Sequence, residues 1–306
     1  MRYGMKIALS FVASLMLLAA GCQTMDVAGQ LGAAVGQATG TITPQQAESI
    51  TKASSAVGKT FDAITPEQEY FIGRSVAATV LSKYNAYDLK EANWYLNELG
   101  QTLAVFSDRP ETFGGYHFLI MDTEEINAFS APGGLVLVSR GLIRCCPNED
   151  ALAAVLAHEI GHVEKQHGLR AIKSGRLTSA LTILATESAK SFGGQELSQL
   201  TEAFEGSISD ITSTMMNSGY ARNLEFEADK AAVTIMQRAG YNPEGLIVML
   251  EEMNKKLVPG RHDFAATHPT PEARISKVKD ILGAQPVPMK EPPVRQQRFT
   301  TSAGKI

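Results

Sequence analysis

Cysteine is scarce in this chain: three among 306 residues, Cys22 and the adjacent pair Cys145 and Cys146, too few for a disulfide-stapled scaffold. Charge of one sign is missing too. The 28 basic and 32 acidic residues leave a net charge of −4, which gives no polybasic surface for nucleic acid or an anionic bilayer. Long apolar runs are absent as well. Residues 7–20 fall short of the ~20 that span a bilayer, and Lys173, Arg176, Glu187 and Lys190 interrupt the amphipathic stretch 171–219. There is no internal repeat. What remains, 44% hydrophobic and 20% charged, is the balance of a globular chain able to bury a full core.

The N-terminus reads as a targeting segment. Arg2 and Lys6 precede the apolar run, and Ala19, Ala20 and Gly21 are small residues placed before Cys22. Residues 17–22 resemble a bacterial lipobox, with Ala19 where leucine is commonest. That resemblance implies cleavage after residue 21 and lipidation of Cys22; Gln23, not being aspartate, implies the outer membrane of a two-membrane bacterium. Residues 22–63, rich in Gly, Ala, Gln, Thr and Ser, read as a flexible tether.

The folded part is expected over residues 64–283. Thr65, Pro66 and Gln68 form a capping-box signature opening a helix to about residue 84, and a second helix runs over about 88–106. Residues 116–121 and 134–139 read as strands, with alternation and an open edge expected for the second. Asn148 caps a long helix whose first turn carries Glu149 and Asp150. Further helices are expected over 219–240, 243–256 and 271–282. Residues 284–306, with several prolines and few large apolar side chains, read as a disordered tail.

The long helix contains His158-Glu159-Ile160-Gly161-His162, an H-E-x-x-H arrangement. Four residues advance a helix by about 400°, so both imidazoles leave one face a turn apart, close enough to share a tetrahedral ion. Glu159, about 100° round, can take a proton from a water polarised by that ion. The residues before the motif, 151–157, are apolar on every side, which implies a buried helix. Buried histidines flanking a buried glutamate are costly without a partner, and a metal supplies one.

A third protein ligand is needed. The metzincin pattern would put histidine at position 168 and glycine at 165, which hold Gly168 and Lys165, so that class is excluded. His167 lies about 140° from His162 on a continuous helix and would face away, in a structural role. A glutamate from a separate helix remains. In residues 223–229, Glu225 and Asp229 are four apart and share a face, so Glu225 can ligate while Asp229 orients a ligand imidazole. Glu227 points elsewhere. Taken alone, the same residues suit a solvated acidic face.

With these pieces the chain resembles the metallopeptidase family that includes HtpX, the CAAX prenyl endopeptidases and the bacterial periplasmic proteins BepA and LoiP. The resemblance covers residues 65–282: 126–129, Pro132-Gly133-Gly134, 135–142, 148–152, 158–167, 220–229, and 267–269 with Arg274 and Ile275. Ala221 departs from the usual serine. The resemblance implies a mostly helical α+β, zincin-like metallopeptidase domain with a small sheet packed on the H-E-x-x-H helix. It further implies one Zn2+ held by His158, His162 and Glu225, with Glu159 catalytic and Asp229 behind the ligands. His268 and Arg274 are implied as a zinc plug or transition-state stabiliser, with a structural turn as the other reading of His268. Asn127, Ala128, Gly134, Leu135 and Val136 are implied as the edge that meets an extended peptide. Lacking the membrane helices of HtpX and the C-terminal repeats of BepA, the chain is expected to be nearer LoiP in layout.

The function so implied is a zinc metalloendopeptidase of the cell envelope, lipid-anchored to the outer membrane and facing the periplasm. Its substrates would be misfolded or unassembled envelope proteins, with the envelope assembly machinery as a further partner and no nucleic acid. Two other readings use the same residues: a peptide-binding chaperone with a largely closed zinc site, and a structural zinc domain with four protein ligands. Cys145 and Cys146 are expected to have no catalytic role, whether free, bonded to each other or linked to another chain.

Overall fold

A computed structural model of the chain describes residues 64–172, 194–257, 268–283, 292–304 and 306. The signal segment, Cys22 and the tether therefore lie outside the described residues. Helix α1 spans Pro66–Leu81. Its capping box is formed in both directions: the Gln68 amide donates to Thr65 Oγ1 at 3.2 Å and the Thr65 amide to Gln68 Oε1 at 3.0 Å. Helix α2 (Lys90–Ala104) follows, then strands β1 (His117–Met121), β2 (Ala128–Ala131) and β3 (Leu135–Ser139). After the short α3 (Arg140–Ile143) comes α4 (Glu149–Glu164), capped by Asn148, whose side chain accepts from the Ala151 amide at 2.9 Å.

Short α5 (His167–Arg170) precedes α6 (Gly194–Ser213), which continues as a π-helix over Thr214–Ser218. The C-terminal part holds α7 (Arg222–Arg238), α8 (Gly245–Lys256), α9 (Pro271–Leu282) and α10 (Pro293–Ser302). This is a mostly helical α+β fold in which α4 is the central rod. Every residue of α4 from Glu149 to Val163 is buried, packed by α7, α8, α2 and the sheet. Its all-round apolar sequence is what permits that position. Among the described residues no helix is long and apolar enough to cross a membrane.

The sheet order is β1-β3-β2, with β1 parallel and β2 antiparallel to β3. This corrects the expectation for residues 134–139. The strand carrying Leu135 and Val136 is central, bonded on both sides, and Gly134 sits in the turn before it, so none of the three offers an open edge. The β1 edge is also closed, by side chains from α2: the Ile120 and Phe118 amides donate to Asn93 and Asn97 Oδ1, both at 2.9 Å. The edge bordering the motif helix is β2, where Ala128 lies.

The C-terminal segment differs from its expectation as well. Residues 293–302 are helical, with Phe299 buried. Arg298 forks onto both carboxylate oxygens of Glu149, and Arg295 Nη1 meets Asp150 Oδ1 at 3.2 Å while lying over the Tyr241 ring. Glu149 is fully buried and also accepts from Tyr95 and Tyr241 hydroxyls at 2.8 and 2.9 Å. A buried carboxylate at the start of α4 needs a cation, and α10 brings it, while Phe299, Ala303 and Ile306 join this segment to the hydrophobic core.

Cys145 and Cys146 are free and buried. Burial pushes the Cys145 thiol up to about 11 and Cys146 well above its ordinary value. Neither is a thiolate near neutral pH, so native protein treated with iodoacetamide at pH 8 should carry no label at 145 or 146, whereas denatured protein should carry both. Mass spectrometry of the tryptic peptides checks this.

Candidate metal centre

Residues from three helices and one loop converge at the C-terminal half of α4. The His158 and His162 Nε2 atoms face each other at 3.1 Å, near the ~3.3 Å that two nitrogens adopt on one tetrahedral zinc. Glu225, in the first turn of α7, places Oε2 3.6 Å from His158 Nε2 and Oε1 3.6 Å from His162 Nε2. Glu225 is fully buried, and its Oε1 has no hydrogen-bond partner. An orphaned carboxylate oxygen beside two inward-facing imidazole nitrogens is a donor set that could hold a transition-metal ion. With His268 added, one ligand atom of each of the four residues lies within 4.8 Å of the others.

Both imidazoles are held from behind. His158 Nδ1 lies 3.0 Å from Asp229 Oδ1, in the arrangement that fixes ring orientation in metal sites. Asp229 in turn takes two bonds from Arg274, Nε at 3.0 Å and Nη2 at 2.6 Å. Burial works to raise the Asp229 carboxyl, but Arg274 and His158 outweigh it and hold the group well below the usual carboxylate range. Arg274 itself is fully buried, with Nη2 3.1 Å from His158 Nδ1. Arg274 thus meets His158 on its Nδ1 side, together with Asp229, whereas Glu225 meets the same ring at Nε2.

His162 is held differently. Helix α4 ends at Glu164, and Gln166 adopts φ 54°, the only non-glycine residue in the left-handed region among those described. The turn swings His167 back, so that its Nδ1 lies 2.9 Å from His162 Nδ1, buried, with Nε2 3.3 Å from Glu227 Oε2. The expectation that His167 faces away assumed a continuous helix; the break at Gln166 removes that premise. Burial brings His167 down to about 4, and it lowers His162 well below its ordinary value, so both rings are neutral. Tyr220, also unanticipated in a role, stacks on the His162 ring at 4.6 Å between centroids.

Glu159 is buried beside His158 and lines a cleft with Ala128, Phe129 and Ser130 of β2, His162, Tyr220 and His268. Asn127, just before β2, uses its Oδ1 to accept from the Ala128 amide at 3.0 Å. His268 Nδ1 meets Glu225 Oε2 at 2.6 Å. Burial raises the Glu225 carboxyl, yet His268, His158 and Arg274 together leave it lowered.

The sequence profile of peptidase family M48 matches residues 90–282, more than half of the chain. The β-barrel assembly-enhancing protease of Escherichia coli strain K12 is 28% identical over 188 residues, covering 61% of this chain and 38% of that protein. The mitochondrial metalloendopeptidase OMA1 of Schizosaccharomyces pombe is 31% identical over 167 residues, 51% of this chain and 43% of the relative. The metalloprotease LoiP of Escherichia coli is 25% identical over 169 residues, 55% and 63% respectively. The chain thus spans under two-thirds of the length of these relatives.

Proposed function

The chain belongs to peptidase family M48, and on that premise we propose that it is a zinc-dependent endopeptidase acting on unfolded or misassembled proteins of the bacterial cell envelope. The observation that carries the reading is the convergence of His158, His162 and an orphaned Glu225 oxygen beside Glu159, on a cleft walled by a strand edge. His158, His162 and Glu225 would hold the ion. When bound, zinc supplies Lewis acidity to the scissile carbonyl and lowers the pKa of water. Glu159 takes the proton of the attacking water and returns it to the departing amine. An extended substrate is read as adding to β2, with Asn127 and Ala128 at the edge, its backbone held irrespective of sequence.

The relatives' names, a β-barrel assembly-enhancing protease among them, support polypeptide substrates, and the lipobox-like residues 17–22 support an envelope setting. Lipidation of Cys22 and attachment to the outer membrane belong to the same reading. Labelled palmitate should enter the protein in cells and be lost in Cys22→Ser.

Activity on casein or an unfolded outer-membrane protein, abolished by a chelator and restored by zinc, tests the main reading. A peptide-binding chaperone with a closed site is the second reading, favoured by the His268–Glu225 contact. Equal, undiminished substrate protection by the wild type and Glu159→Gln, with no cleavage by either, would select it.

We read His268 as a plug over the open coordination position, which leads to a specific expectation. His268→Ala should raise basal proteolysis several-fold in a continuous fluorogenic-peptide assay. An unchanged or lower rate would assign the residue to a structural turn.

A further inference from the structure

The two imidazoles that face Glu225 are tethered on Nδ1 by different means. His158 meets a carboxylate directly, Asp229 Oδ1 at 3.0 Å. His162 meets another imidazole, His167, at 2.9 Å, and only beyond it a carboxylate, Glu227 Oε2, at 3.3 Å from His167 Nε2. We propose that His167 and Glu227 form a positioning relay that fixes the tautomer of His162, keeping its Nε2 as the lone-pair nitrogen.

Along the chain His162–His167–Glu227 the proton bookkeeping has one self-consistent solution. A neutral imidazole carries a single N–H. If the proton of His162 is on Nδ1, it donates to His167 Nδ1; the proton of His167 is then on Nε2 and donates to Glu227. Both Nδ1 atoms and His167 Nε2 then have complementary partners, and His162 Nε2 is left bare, 3.1 Å from His158 Nε2 and 3.6 Å from Glu225 Oε1, where a seated ion would meet the facing lone pairs. In the opposite arrangement His167 donates from Nδ1, its bare Nε2 faces the Glu227 carboxylate, and two acceptors confront one another. Glu227 therefore selects the tautomer from two residues away, through a ring that touches no ligand atom. Arg170 Nη1, at 3.0 Å from the same Glu227 oxygen, holds the carboxylate in place.

The strained turn agrees with this assignment. Gln166 takes a left-handed conformation that glycine would adopt more readily, and the local result is the return of His167 to the back of His162. Replacing an orienting partner of this kind costs 10–100-fold in metal affinity in well-studied sites. The relay's metal consequence rests on the zinc centre proposed above, whereas the tautomer itself is a property of the metal-free protein.

The test compares the purified wild-type chain with His167→Phe, His167→Asn and Glu227→Ala. Zinc affinity is read by chelator competition, and 15N NMR of the imidazoles is read in metal-free protein. Wild-type His162 should be protonated on Nδ1. His167→Phe should shift it to a tautomer mixture and weaken zinc binding 10–100-fold. His167→Asn, whose Oδ1 can stand in for Nδ1 as acceptor, should recover affinity to within a few-fold. Glu227→Ala, at a half-exposed position where folding is not at stake, should give mixed tautomers on its own. An unaltered His162 tautomer in both His167→Phe and Glu227→Ala would overturn the relay. A wild-type chain that binds no zinc while showing the expected tautomers would instead overturn the metal centre and leave the relay standing.

Discussion

Glu159→Gln is expected to lower peptide hydrolysis by roughly 10²–10⁴-fold while leaving zinc content at one per chain. The carboxylate is buried next to His158 and lines the cleft, yet it is no member of the inward-facing ligand cluster. Glutamine keeps its volume and one acceptor oxygen but cannot accept the proton that an attacking water must lose. The rate should therefore fall at unchanged fold and metal load, which separates this variant from His158→Ala or Glu225→Ala, where the metal should go too. Peptide cleavage, melting temperature and metal analysis on one preparation give the three readouts. Activity within a few-fold of the wild type would remove Glu159 from the reaction and with it the proposed hydrolase.

The second large effect concerns stability. Arg274→Met should destabilise the metal-free protein by about 3–5 kcal/mol, because it strands the Asp229 carboxylate, fully buried, without its cation. In a domain of this size that corresponds to a fall of about 6–20 °C in Tm. The double variant Arg274→Met with Asp229→Asn should recover most of the loss: asparagine carries no charge to strand, and its oxygen still accepts from His158 Nδ1. Thermal unfolding in chelator, followed by circular dichroism, measures all three proteins without a contribution from bound metal. Equal Tm values for wild type and Arg274→Met would mean that the pair contributes no net stability.

Much of the site is legible from spacing alone because α4 is regular. His158, Glu159 and His162 project as a 3.6-residue repeat requires, and the apolar run before them announces burial. Glu225 is legible only as the answer to a demand for a third ligand, since the acidic stretch 223–229 suits a solvated surface equally well. His167 is not legible. Its position follows from Gln166, and nothing in Glu164-Lys165-Gln166-His167 carries the glycine or proline that marks a broken helix.

The sheet teaches a related lesson. Ala128-Phe129-Ser130-Ala131 has little intrinsic strand preference and becomes a strand through its ladder with β3, a long-range fact outside any local window. Reading residues 134–139 as an exposed edge failed for the same reason, because edge or centre is decided by neighbours. The C-terminal helix was hidden by composition. It has few large apolar residues, and beside the burial of Phe299 it is held by the pairing of Arg295 and Arg298 with acidic groups 145 and 149 positions earlier.

Gly161 occupies one of the nominally free places in the His-x-x-x-His spacing, and a Cβ built there would lie 3.0 Å from the Ala228 carbonyl oxygen. Ala228 falls between Glu225 and Asp229, as Gly161 falls between the two histidines, so the helices bearing the opposing halves of the seat touch backbone to side-chain-free backbone at its level. The gauge of that seat is thus set by an omitted methyl. Any side chain at 161 would press the two halves apart by a few tenths of an ångström, and with them the spacing of His158 and His162 from Glu225.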